Sequence, residues 1–490
     1  MQKARSLLKL IFPRTNAVLF ILLFISALSM GPRMLNIDGD LPRHLLMGKY
    51  VLETGAPPMQ EIFSYVYEHR PYTPQEWLAG VIYYFAYVVF GLNGVVLLAS
   101  ILIASTFTVL YSDVASQNAA KTTTFFLMVL GALVTSIHWV TRPHLFTMLF
   151  LAIWLILIDR LYQGKPARLW VFPVLMLPWA NIHGEFIAGF LVLAAYLTGC
   201  AWQYMFRRTR TSLEIGKRLG SVTILSLFAS VVSPAGFRTW DIVLGYVSNR
   251  YLVSRIVETR PPDFTQWEYL PLLIMLAIAV FLTATKRDRF SPAQFFLLAG
   301  FGIMSLLAAR NAHLSGVVFP FVLSSAMIGM VNSTRMRVIE AAVERIDQQI
   351  YGSIQPIILT ILVSVTVIAG PLAGVNRFEP SVFPVNAVRW LEANPQTGRM
   401  FNAFDWGGYI LLYLWPEQKT FIESHTDVTG EATKQYETVV TLQDGWQEIF
   451  RRYNITWAII PPSWGLAREL IERGWQPVYQ DQVSVILVYR

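Results

Sequence analysis

The sequence predicts a polytopic α-helical membrane protein with a small α/β domain at its C-terminal end. Three observations lead there. Of 490 residues, 54% are hydrophobic and only 14% charged, and the mean hydropathy is +0.46, as in a chain whose solvent is largely lipid. The cations behind the net charge of +8 sit in short clusters between apolar stretches, the distribution of the positive-inside rule rather than of a nucleic-acid-binding surface. From Asn376 onward the character changes, with charges spread evenly and apolar runs short.

Taken in order, the first apolar run covers 16–34, behind Lys3, Arg5, Lys9 and Arg14; the many later spans favour a retained helix over a cleaved signal. The next, Trp77 to Phe90, is short and rich in Tyr and Trp, as expected of a helix lying in the membrane interface. Counting it as a crossing would also put the cluster from Arg207 to Arg218 outside. The remaining spans are expected at 94–112, 123–140, 144–161, 169–182, 186–206, 218–236, 268–285, 292–308, 312–331 and 355–375. With the first, that makes about eleven, N-terminus inside and C-terminus outside. The domains follow: a transmembrane domain over 1–375 with a first extracytoplasmic loop at 35–93, and an extracytoplasmic α/β domain over 376–490. Strands are expected at 400–404, 420–422, 457–460 and 483–489, helices at 431–453 and 466–473. The single cysteine, Cys200, excludes disulfides within the chain and any cysteine-based metal site.

This arrangement places His44, His69, His138, His144, His183, His313 and His425 outside or at the outer membrane face, although no histidine was used to build it. Polar groups gather at the same level: Asp38, Asp40, His44 and Glu76 in the first loop, then Arg142 and His144, His183 and Glu185, and Arg310 and His313. Ionisable groups at membrane depth are costly and are paired or functional. The segment 169–182 carries Pro173 and Pro178 and is expected to break before crossing fully, which is tolerated where a broken helix lines a cavity or is buried in protein. Plainer roles stand beside each: Asp40 before Leu41-Pro42 suits a helix cap, Asp38 a turn with Gly39, Glu76 the start of the interfacial helix, and the arginines and His144 contact with headgroups. A carboxylate near cations in such a place suits deprotonation of a hydroxyl acceptor while a leaving phosphate is held by Arg and His.

The run Asp38-Gly39-Asp40, His44, Gly48, Glu53-Thr54-Gly55, Pro57-Pro58, Phe63-Ser64, Glu76-Trp77-Leu78 and Phe90-Gly91 resembles the first extracytoplasmic loop of GT-C glycosyltransferases. That superfamily includes protein O-mannosyltransferases and the aminoarabinose and galacturonic acid transferases of lipid A. Arg142-Pro143-His144, Trp179 to Gly184 and Phe401 to Tyr409 look like a poorly characterised bacterial branch of it. By the resemblance Asp40 is the catalytic base, Asp38 its supporting carboxylate and Glu76 a further catalytic candidate. His44, Arg142, His144, His183, Glu185, Arg310 and His313 are expected to bind substrate or phosphate. The family often has an acidic residue after the third span, where this chain has Arg142 and His144. A divalent cation, Mg or Mn, is therefore left open; Asp40, His44 and Glu185 are its candidate ligands.

The resemblance implies an integral protein of the bacterial inner membrane with its active site outside. It would transfer a sugar, with inversion, from a polyprenyl-phosphate donor to a lipid, glycan or protein acceptor of the cell envelope. Its partners are the donor, membrane lipids and the acceptor, with no nucleic acid. Two other classes stay in view: a transporter or flippase of a lipid-linked or anionic substrate, and a non-catalytic membrane subunit. Related halves would favour transport, and the sequence has no convincing internal repeat.

Overall fold

The computed structural model describes residues 14–489 apart from 118, 209, 256, 329–333, 350–353, 371–373 and 425–429. The chain forms two compact units, each assembled from separate stretches: Met1–Gly31, Val96–Val232 and Ile256–Ala373 in the first, Pro32–Val95, Ser233–Arg255 and Gly374–Arg490 in the second.

Each apolar stretch singled out above carries a helix. In the first unit these are α1 (Thr15–Ser29), the rear part of α3 (Trp77–Ala115), α4 (Lys121–Thr135), α5 (His144–Tyr162), α6 (Val171–Ile182), α7 (Ile187–Arg207), α8 (Arg210–Ser230), α9 (Leu270–Thr285), α10 (Pro292–Leu307), α11 (Ala312–Ala326) and α12 (Ile354–Ala369). Among the described residues five helical stretches are long and apolar enough to cross a membrane: Trp77–Ala115, Lys121–His138, His144–Tyr162, Gly184–Arg207 and Trp267–Thr285. Helix α6, of 12 residues with Pro178 inside, reaches about 18 Å, short of the ~30 Å hydrocarbon core. It stops at Ile182, where His183 turns extended (φ −156°, ψ 139°) before a 3₁₀ turn over Gly184–Phe186.

Helix α11 is buried on nearly every face, which marks an interior helix. It meets α4 through glycines. A Cβ on Gly131 would stand 2.4 Å from the Gly316 carbonyl oxygen, and one on Gly316 would stand 2.6 Å from Thr135 Cγ2. Close approach of small residues is how helices associate where lipid removes the hydrophobic drive between them.

Helix α3 belongs to both units and breaks at Phe90 (φ −137°, ψ 18°) and Gly91 (φ 61°, ψ −156°). Gly91 takes a conformation that only glycine adopts readily, so the front segment of α3 ends at Phe90, where the sequence placed its end. Its second-unit part turns Phe85 and Val88 outward and buries Ala79 and Tyr83.

The second unit holds α2 (Asp40–Thr54) and, from the tail, α13 (Val385–Ala393), β1 (Arg399–Asn402), α14 (Gly407–Leu414), α15 (Glu431–Val440), α16 (Trp446–Tyr453), β2 (Ile455–Ile460), α17 (Gly465–Glu472), β3 (Gln476–Gln480) and β4 (Val485–Val488). The sheet order is β1-β2-β4-β3, with β1 and β2 parallel and the other pairs antiparallel. Its core gathers Phe401, Phe421, Trp446, Phe450, Leu466 and Trp475.

Several expectations are corrected. The predicted strand at 420–422 is instead a bridge to the first loop: the Thr420 amide donates to the Phe63 carbonyl at 3.0 Å, and the Tyr65 amide donates to that of Thr420 at 3.3 Å. The helix expected over 431–453 is two, because Leu442 (φ 55°) and Gly445 (φ 88°) take left-handed conformations between them. The strand β3 was not foreseen; Pro477 within it suits only an edge strand. The first loop, assigned above to the transmembrane domain, folds with the tail. Its Tyr65 is buried in the tail's core and donates its hydroxyl to the Met400 carbonyl at 2.7 Å.

Gly131→Val should lower unfolding stability by about 1–3 kcal/mol through overpacking, followed as the thermal midpoint in detergent. Gly300→Ala, where a Cβ meets nothing within 4 Å, should lower nothing. Equal midpoints for the two would refute the contact.

Candidate functional site

Each unit carries a polar cluster that contains residues singled out in the sequence. That of the second unit is built on the turn ahead of α2. The Asp40 amide donates to Asp38 Oδ1 at 3.0 Å, and Gly39, not Asp40, occupies the cap position. Asp38 thus satisfies the backbone at the head of the helix, while Asp40 is the first helical residue and half-buried. The turn lies against the tail: a Cβ on Gly39 would be 2.2 Å from the Asp405 carbonyl oxygen, and one on Gly408 would be 2.8 Å from that of Gly39. The tail segment from Asp405 to Gly408 is a 3₁₀ turn running into α14, with Gly407 at φ −54°, and its glycines serve close approach.

One turn along, α2 meets the start of α3 through a second glycine pair. A Cβ on Gly48 would be 2.1 Å from the Gly80 carbonyl oxygen, and one on Gly80 would be 2.8 Å from that of His44. This proximity sets His44 Nε2 3.9 Å from Glu76 Oε2 and its ring 6.3 Å from that of Tyr83. Glu76 itself has φ 64°, a strained conformation for a residue with a side chain. Asp38, Asp40, His44 and Glu76 are therefore all features of this unit.

Beneath them lies a buried charge network that the sequence did not reveal. Arg43 is 5% exposed and Glu423 also 5%, and Arg43 Nε stands 3.1 Å from Glu423 Oε2. The Arg43 guanidinium also donates to the Tyr72 hydroxyl at 2.8 Å and lies 4.0 Å from the centre of the Phe63 ring. Burial by itself would lower the Arg43 pKa, but Glu423 above all, with Tyr72 and Glu61, raises it, so the guanidinium stays charged. Burial and then the charge of Glu423 raise the pKa of Glu61, against the pull of the Ser64 amide; its Oε1 accepts from the amides of Phe63 (2.7 Å) and Ser64 (3.0 Å). The available signal was Arg43 itself, a cation set between Leu41-Pro42 and Leu45-Leu46. Its partner, some 380 residues away, had none.

The first unit's cluster is a knot of histidines around Glu185. His313 Nε2 lies 2.8 Å from Glu185 Oε2, and its Nδ1 donates to the Arg310 carbonyl at 2.6 Å. His183 Nδ1 is 3.5 Å from the same carboxylate oxygen and 3.0 Å from the Thr147 hydroxyl, which accepts from the Trp179 indole at 3.0 Å. His144 Nε2 donates to the His138 carbonyl, and the rings of His138 and His144 lie 5.3 and 5.4 Å from that of His313. The break after α6 presents His183, the 3₁₀ turn presents Glu185, and the head of α11 presents His313. His144, His183, Glu185 and His313 are thus brought together, with His138 joining them. Arg310 contributes its carbonyl, and Arg142 pairs at 3.7 Å with Glu258, a partner the sequence did not single out.

His425, placed above at the outer membrane face, lies outside the described residues. Among the described residues no three His, Cys, Asp or Glu side chains are grouped to hold a metal. Within their own units His44 faces Glu76, and Glu185 faces His313 and His183. Asp40 and His44 belong to the second unit and Glu185 to the first.

Removing one member of a buried ion pair strands the other. Arg43→Ala should therefore cost about 3–5 kcal/mol or prevent folding, read by denaturant or thermal unfolding. A loss under ~1 kcal/mol, the range of exposed pairs, would show that the pair is solvated.

No protein-family model matches the sequence, and no curated protein does. Solved structures do. The apo oligosaccharyltransferase of Archaeoglobus fulgidus superposes with a TM-score of 0.57 at 12% identity, over 91% of this chain and 69% of that one. The same archaeal enzyme, AglB, in complex with an inhibitory peptide and a dolichol-phosphate gives the same figures. Apo ArnT from Cupriavidus metallidurans superposes with a TM-score of 0.53 at 14% identity, over 96% of this chain and 97% of that one. This chain therefore shares, across nearly its whole length, the fold of that oligosaccharyltransferase and of ArnT.

Proposed function

We propose that the protein is an inverting glycosyltransferase that moves a sugar, hexosyl or pentosyl, from a polyprenyl-phosphate donor to a lipid, glycan or protein acceptor of the cell envelope. The observation that carries this is the Asp38-Gly39-Asp40 turn at the head of α2 in a chain of this fold, with the Asp40 amide held by Asp38. The solved relatives are an oligosaccharyltransferase, seen with a dolichol-phosphate, and ArnT, which favours a lipid-borne donor.

In the proposed reaction Asp40 takes the proton of an acceptor hydroxyl as its oxygen attacks the anomeric carbon. The bond from that carbon to the phosphate oxygen breaks, its electron pair stays on the phosphate, and configuration inverts. Asp38 keeps the Asp40 backbone in place, and Glu76 orients His44. Arg142, Arg310 and the histidines His44, His144, His183 and His313 carry the donor's phosphate, with Glu185 orienting His183 and His313; charge developing on a leaving phosphate is best met by fixed donors. The protein would sit in the bacterial inner membrane, crossing about eleven times, with its N-terminus in the cytoplasm and its reaction on the outer side.

Purified protein incubated with labelled polyprenyl-phosphate sugars and cell-envelope extract tests this. Wild type should release polyprenyl phosphate, and Asp40→Asn should lose about 10²–10⁴-fold, the range of a general base. Intact donor with wild type would point to transport or a non-catalytic role instead. For orientation, Lys165→Cys should react with an impermeant thiol reagent only after the membrane is opened, since Cys200 is buried. Labelling of intact cells at that position would invert the topology.

A further inference from the structure

We infer that the tail is a working part of the active site: Glu423, acting through Arg43, positions Asp40. This rests on the reading of Asp40 as the base.

Arg43 lies three residues beyond Asp40, so the two share the first turn of α2. Its head group is fixed on three sides, by Glu423 at 3.1 Å, the Tyr72 hydroxyl at 2.8 Å and the Phe63 ring at 4.0 Å. Glu423 is fixed in turn. Asn402, at the end of β1 and fully buried, donates to the Ile422 carbonyl at 2.8 Å and accepts from the Phe421 amide at 2.9 Å. A Cβ on Gly407 would fall 2.7 Å from Glu423 Cβ, and one on Gly408 would fall 3.1 Å from Arg43 Cβ. A continuous buried path therefore runs from the sheet through Asn402, Glu423 and Arg43 to the turn that bears Asp40.

A buried ion pair is weak support for stability, since an apolar pair of similar volume often serves as well or better. What this pair adds is direction. The guanidinium has a fixed fork of donors, and engaging Glu423 and Tyr72 at once sets the rotation of the first turn of α2 as an apolar contact does not. Arg43 and Glu423 are positioning residues, not groups that touch the substrate.

The test uses the full-length protein and the donor assay above. The double variant Arg43→Met/Glu423→Leu removes both members of the pair, leaves Glu61 held by the Phe63 and Ser64 amides, and should unfold at or above the wild-type midpoint. Its KM for donor should stay within about threefold of wild type, the mark of intact ground-state binding. Its kcat should fall about 10- to 100-fold, as misplacement of a catalytic group by around 1 Å does. Tyr72→Phe, which removes one hydroxyl and no charge, should lower kcat severalfold with KM unchanged, and keeps the proposal testable if the double variant does not fold. Wild-type kcat in either folded variant overturns the positioning role. Asp40→Asn separates the two failures: if it turns over like wild type, the base assignment falls and this inference with it. If it is inactive while the clamp variants run at wild-type kcat, only this inference falls.

Discussion

The buried pair of Arg43 and Glu423 is the constraint around which the second unit is arranged. Two charges removed from water must find each other and fill their remaining hydrogen-bonding capacity, or the unit does not fold. To satisfy Arg43, the first loop must bring Tyr72 and Phe63 alongside it, and the tail must bring Glu423. That requirement accounts for Thr420 pairing with the loop rather than extending the sheet. It also accounts for glycine at 39, 407 and 408, where two backbones press together too closely for any Cβ.

The first unit meets the same rule in a different medium. Its helices are apolar on their outward faces, and its polar groups turn to one another: Asp113 to Arg160, Asp159 to Tyr196 and Gln163, and Glu185 to His313 and His183. Where lipid replaces water, each such group needs a partner within the protein. The short α6 with its inner proline stops early, and the extended residue after it is His183, so a broken helix supplies a ligand-type side chain at its end.

Much of this was legible in the sequence, for identifiable reasons. Hydropathy placed the helices because lipid-exposed segments must be apolar throughout, and the break at Phe90-Gly91 was visible in length and aromatic content. Of the seven histidines that the expected topology places at one face, His138, His144, His183 and His313 meet within the first unit, while His44 pairs with Glu76 in the second. The union of loop and tail was hidden, because Arg43 and Glu423 are far apart in the chain and neither lies in a repeating pattern. Gly407 and Gly408 sit at the start of a helix, and it is neighbouring backbone, supplied from far along the chain, that demands them. Of the residues weighed as metal ligands, His44 faces Glu76 and Glu185 faces His313 and His183, each within its own unit.

One helical turn therefore carries two kinds of charge. Arg43 is sealed off and paired with Glu423 and Tyr72. Asp40, three residues earlier, stays half-buried at the head of the same helix, with its amide anchored by Asp38. A reactive carboxylate must be both accessible and held still, and a single flexible side chain does not meet both demands. On the proposal that Asp40 is the base, dividing them, with the rigid charge inside and the carboxylate at the edge, lets the packing of the tail set the geometry of Asp40 without covering it.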